Sequence, residues 1–114
     1  MSNDLIEFKE DDTDIDEIIS NKYYIILFFT ASWCNPCKRI YPTLKEKFTN
    51  INNVNIYKIN IDDNDKTSNK FNIKSVPFFL IFKNNIKLGE HKGTDMVKFA
   101  RLLYDIIKNN NIKD

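Results

Sequence analysis

A chain of 114 residues, 42% hydrophobic and 13% aromatic, can bury one core and not two. A formal net charge of +1 gives no general affinity for nucleic acid or membrane, and two cysteines exclude a disulfide scaffold. The longest apolar run, Tyr23 to Phe29, is too short to span a bilayer.

The N-terminus is acidic, with no apolar run behind a basic start. This predicts a reducing, cytoplasmic setting. Charge is unevenly spread. Residues 1–20 hold eight acids against Lys9, and Lys22 to Asp114 hold sixteen bases and eight acids. That reads as a solvated acidic face beside a basic one, or as a dipolar surface that steers partners. Glycine is scarce at two residues and asparagine abundant, so asparagine is expected at turn positions that need positive φ.

Leu5-Ile6-Glu7-Phe8 predicts a short strand. Asp11-Asp12-Thr13 opens a helix whose buried stripe is Ile15, Ile18 and Ile19. Tyr23 to Phe29 is continuously apolar and predicts a central parallel strand covered on both faces. Directly beyond it lies Trp33-Cys34-Asn35-Pro36-Cys37, which holds both cysteines and the one tryptophan. In open α/β sheets, sites form past the carboxyl ends of strands. The next helix runs from about Asn35 to Phe48, with Cys37, Ile40, Tyr41, Leu44 and Phe48 on one face. Pro36 suits its first turn, whereas Pro42 predicts a kink near Lys38–Tyr41.

Val54 to Ile61 predicts a second parallel strand with Lys58 inside it. Asp62 to about Phe71 is a short polar helix or turn. Ser75-Val76-Pro77 precedes a strand, Phe78 to Phe82. Lys83-Asn84-Asn85 turns it into an antiparallel partner, Ile86 to about His91, with Ile86 and Leu88 alternating. Gly93-Thr94 leads into a last helix whose core face is Met96, Phe99, Ala100, Leu103, Ile106 and Ile107. Asn109 to Asp114 is expected to fray. The order β-α-β-α-β-α-β-β-α predicts a mixed sheet of four or five strands, helices on both faces, in one α/β domain over 1–114.

A disulfide between Cys34 and Cys37 would close too short a loop to stabilise the fold much, which favours one that opens and closes. Helix phase makes the two thiols unequal. Cys34 precedes the first turn, where free amides and the positive dipole end favour a thiolate, and Lys38 adds positive potential. Cys37 faces the core. Cys34 is therefore the attacking sulfur and Cys37 the resolving one.

These residues resemble the thioredoxin family. The resemblance rests on Trp-Cys-x-Pro-Cys-Lys at Trp33 to Lys38, Pro42, Lys58-Ile59-Asn60-Ile61-Asp62, Val76-Pro77 and Gly93. It covers almost the whole chain and implies a thioredoxin fold and protein-disulfide reductase activity. It also implies a cis Val76–Pro77 bond facing the cysteines. Trp33, Val76, Pro77 and Gly93 would then form a docking surface that pairs with an extended substrate segment. Four positions depart from the family pattern. Phe28 stands where a buried aspartate is usual, leaving Lys58 without that neighbour. Asn35 replaces a glycine and could help cap the helix. Lys92 replaces an apolar residue and would favour acidic partners. Asn85 replaces a turn glycine.

Other readings are weaker. A zinc site would have only His91 beyond the cysteine pair, so no metal is expected. His91 reads as a surface strand residue, and a Cys–His protease has no support. No Gly-x-Gly-x-x-Gly exists, so no nucleotide cofactor is expected, and electrons must come from a partner reductase or a small thiol. The expected partners are disulfide-containing proteins, met as a monomer. An oxidase or isomerase, or a binding module with spectator cysteines, are the alternatives.

Overall fold

The computed structural model describes residues 4–111. Five strands form one sheet: β1 (Ile6–Glu7), β2 (Tyr24–Thr30), β3 (Val54–Asn60), β4 (Phe78–Lys83) and β5 (Ile86–Lys92), in the order β1-β3-β2-β4-β5. The helices are α1 (Ile15–Ile19), α2 (Asn35–Lys47), α3 (Asp65–Lys70) and α4 (Met96–Asn111). The expected order of elements is the observed one. β2 is the middle strand and all seven of its residues are buried. It runs parallel to β3 but antiparallel to β4, so only one of its neighbours is the parallel one the apolar run suggested.

Alternation along β2 divides the core in two. Tyr24, Ile26 and Phe28 pack with α2 and α4, on the side that holds both cysteines. Ile25, Leu27 and Phe29 pack with α1 on the other side. Each such side chain contributes about 1.5–3 kcal/mol by its burial. β2 thus fixes the height at which the Cys pair emerges.

Several boundaries moved for physical reasons. Residues 11–13 form a turn on the Lys9 carbonyl, and α1 starts at Ile15 because the Asp14 carboxylate accepts the Asp16 amide at 2.9 Å. Asn64 stands at the start of α3 but does not cap it. Its side chain instead accepts from Glu10 N at 2.8 Å and donates to the Asn60 carbonyl at 2.9 Å. The cap comes from across the chain, where Glu10 accepts the Thr67 amide at 2.9 Å. α2 runs on through Pro42. α4 continues to Asn111, past the point where fraying was expected, and residues 112–114 lie outside the described range.

His91 is not a surface residue. It is 6% exposed and packed against the rings of Phe79 and Phe99. The reason is an irregularity opposite Ile81 and Phe82: Ile81 pairs with Gly89 and Phe82 with Lys87, so Leu88 is the extra residue. The alternation shifts there. Gly89 and His91 turn toward α4, and Ile86 is left exposed.

Candidate functional site

Cys34 occupies the N-cap of α2 in an extended conformation, with φ −87 and ψ 98. Its Sγ accepts the Cys37 amide at 3.2 Å, satisfying a first-turn N–H that has no helical partner. The Cys34 amide donates to Ala31 O at 3.1 Å, and Lys38 N donates to Cys34 O at 3.2 Å. One hydrogen bond to the sulfur and two to the backbone therefore fix Cys34 in place. Asn35 makes no cap of its own; it is the first helical residue, with Pro36 behind it in the first turn.

The two sulfurs are joined as a Cys34–Cys37 disulfide. In this oxidised ring Cys37 is 1% exposed, as helix phase required, but Cys34 is only 3% exposed. A nucleophile reached from solvent would be expected to stand open, and in this state Cys34 does not. The capping turn tucks the sulfur against the helix amide, a feature of local backbone geometry that spacing alone does not encode.

Trp33 is 64% exposed, and its Nε1–H donates to Asp62 Oδ2 at 2.9 Å. Asp62 is held in turn by its own amide, which donates to Asn60 Oδ1 at 2.9 Å. Sequence reading passed over Asp62 as a partner of Trp33; its only signal was its place at the end of β3. The Val76–Pro77 peptide is cis. Val76 packs against the cluster that contains both cysteines, and the Gly93 amide donates to Pro77 O at 3.0 Å. Gly93 takes φ +102, a conformation that favours glycine. Among the described residues, neither the amide nor the carbonyl of Val76 has a backbone partner. Pro77 is buried, so the edge it offers is backbone rather than ring.

A cavity of about 290 Å³ lies among β2, β3 and the first turns of α2, bounded by Phe28, Tyr41, Lys38 and Lys58. Phe28 is stacked on Phe79 at 4.9 Å, so the position has been converted to an aromatic pair. Lys58 is not left alone. Its ammonium lies 3.8 Å from Glu7 and 5.3 Å from the centre of the Tyr41 ring. The Tyr41 hydroxyl donates to Asp4; that bond, then burial, pushes its pKa up to about 12. Among the described residues, no three His, Cys, Asp or Glu side chains converge as a metal site.

The thioredoxin family profile matches residues 7–105. The chain belongs to the thioredoxin family. It is 36% identical over 79 residues to a thioredoxin of Rickettsia typhi, covering 68% of this chain and 71% of that one. It is 36% identical over 85 residues to thioredoxin O1, mitochondrial, of Arabidopsis thaliana, covering 73% of this chain but only 44% of that protein. The fold matches the crystal structure of a thioredoxin from Trypanosoma brucei brucei with a TM-score of 0.85, at 25% identity over 95% of each chain. With a cysteine pair able to close and open a disulfide, this thioredoxin-family chain is a dithiol/disulfide oxidoreductase.

Proposed function

We propose that the chain reduces disulfides of partner proteins, with Cys34 attacking and Cys37 resolving. The observation that carries this is the asymmetry of the pair. Cys34 Sγ sits on a free first-turn amide at the helix N-terminus, and Cys37 lies buried within the first turn. The Cys34 thiolate attacks one substrate sulfur. The substrate S–S bond breaks, its electron pair leaves on the second sulfur, and that sulfur takes a proton. Cys37 then loses its proton and attacks Cys34, which releases the reduced substrate. Two electrons pass to the substrate, and the pair ends as the disulfide.

The docking surface belongs to the same reading. Trp33, held by Asp62, would flank Cys34, and an extended segment would pair with the free backbone of Val76 beside Pro77 and Gly93. Substrates are disulfide-bearing proteins, and a reductase or a small thiol supplies the electrons. The chain works as one unit over 1–114, as a monomer, in a reducing, cytoplasmic compartment; fractionation of the source cells checks the last point.

Insulin reduction with dithiothreitol tests the activity. Wild type should accelerate it, and Cys34→Ser should abolish that acceleration. Cys37→Ser should stall mixed disulfides and retain the partners. Equal rates for wild type and Cys34→Ser would leave the fold a binding module. A reduction potential well above that of a cytosolic reductant would instead make it an oxidase or isomerase.

A further inference from the structure

The Trp33 ring is exposed and yet held. Its indole N–H donates to Asp62 Oδ2 at 2.9 Å, and both residues stand in solvent. Between exposed groups such a bond competes with water, and it contributes little unless the acceptor is already in place. Asp62 lies past the sheet. β3 ends at Asn60, and Ile61 N donates to Thr30 O at 2.9 Å just beyond the paired residues. Among the described residues Asp62 has no cation within ion-pair distance, so no salt bridge sets the direction of its carboxylate.

Asn60 sets it instead, using both its side chain and its backbone. Its Oδ1 accepts the Asp62 amide at 2.9 Å, closing the turn that an asparagine side chain makes with the backbone two residues on. Its carbonyl accepts the Asp63 amide at 3.2 Å and the Asn64 side chain at 2.9 Å. Asn64 is 1% exposed and anchored elsewhere, accepting from Glu10 N at 2.8 Å and donating to Phe8 O at 3.4 Å. A buried amide with both ends engaged is costly to displace. The series Asn64, Asn60, Asp62, Trp33 therefore runs from the core to the ring beside Cys34, each member hydrogen-bonded to the next.

We propose that Asn60 is a positioning residue for Trp33, acting through Asp62, and that the ring so held favours protein disulfides over small ones. This rests on the docking role given to Trp33 above. A protein substrate covers the indole, and a ring already fixed loses less rotamer freedom when it is covered. A small disulfide reaches Cys34 without covering the ring and gains nothing from its being fixed. Asn60 makes no hydrogen bond to either cysteine, so the exchange itself does not pass through it.

The test uses the reduced full chain and reads the ring directly. Trp33 is the one tryptophan, so a single indole N–H resonance reports on it. Asn60→Ala removes the acceptor, and Asn60→Gln keeps an amide on a side chain too long to close the turn. In both, the indole N–H should exchange with solvent several-fold faster than in wild type, as in Asp62→Ala. Asn60→Asp keeps the acceptor and should match wild type. In reduction of insulin with dithiothreitol, KM should rise about three- to tenfold in Asn60→Ala and Asn60→Gln with kcat held. Release of thiopyridone from a dithiodipyridine, a small uncharged disulfide, should keep its wild-type rate. Wild-type indole exchange in both variants, with faster exchange in Asp62→Ala, overturns the proposal. So does an equal loss with insulin and dithiodipyridine, which is what a merely structural role produces. An insulin KM unchanged in Trp33→Phe is a separate failure: it removes the docking reading and the preference for proteins with it, while the exchange rates still decide whether Asn60 positions the ring.

Discussion

Phe28 and His91 are both large rings in the α2–α4 half of the core, and each predicts a pH effect of its own. Phe28→Asp would exchange a ring stacked on Phe79 for a carboxylate beside Lys58. It should cost about 3 kcal/mol or more of stability and add an ionisation to the pH–rate profile of the resolving step. Phe28→Leu should lose stability without the added ionisation. If the wild-type and Phe28→Asp profiles superimpose, position 28 has no hold on the Cys37 proton. His91 has its pKa lowered below the ordinary 6.5, mainly by burial and then by Lys98, with Asp95 opposing. The unfolded chain therefore takes up the proton at higher pH than the folded one. Stability is complete above 6.5 and is lost as pH falls through that value. Melting curves between neutral and mildly acidic pH should show this loss in wild type and much less of it in His91→Leu. Spacing and helix phase were enough to put Cys34 at the N-cap of α2 and Cys37 on its buried face. They were not enough for His91 or Lys58. The facing of His91 depends on one extra residue at Leu88, and the partners of Lys58 come from Glu7 and Tyr41, on other elements.

Among the elements, long periodic segments were readable and the short ones were not. β2 and α2 declare themselves by apolar runs and stripes. α3 takes its cap from Glu10, which no local pattern reveals. The β4–β5 turn shows how composition is put to use. Asn84 and Asn85 take φ 53 and 67, the pair of positive angles a two-residue hairpin needs, and their amides donate to Asn21 O and Ile19 O at 2.8 Å. Asn85→Gly should leave the melting temperature unchanged or raised, whereas Asn85→Ala should cost about 1 kcal/mol. A loss in Asn85→Gly equal to that in Asn85→Ala would mean the side chain, not the backbone angle, matters. Farther along β5, a Cβ on Gly89 would lie 2.9 Å from Ile106 Cδ1 and 3.4 Å from Leu102. Gly89→Ala should therefore destabilise by about 1–3 kcal/mol through crowding of α4. Adding Ile106→Val should recover part of that loss if the crowding is the cause.

For the molecule as a whole, element order and the placing of the dithiol past β2 were legible, because both follow from chain sequence. The order β1-β3-β2-β4-β5 was not, since it is decided by which faces and edges the helices cover. Charge also acts at this scale. Lys74 and Lys92 stand exposed near the Val76–Gly93 edge, while Glu10, Asp11, Asp12 and Asp14 gather on a separate wall with Lys66 and Lys70. Disulfide peptides rich in acids should be reduced a few-fold faster than basic ones at low ionic strength, and the gap should close in salt. Faster reduction of the basic peptides would reverse that assignment. The asparagines bear on how the protein ages. Asn53, Asn72, Asn84 and Asn85 all hold left-handed angles, and none is followed by glycine. Val54, Ile73 and Ile86 follow three of them, and a branched neighbour hinders the next amide from closing on the asparagine carbonyl. A chain that replaces turn glycines with asparagine therefore takes on little of the deamidation that an Asn-Gly turn would bring.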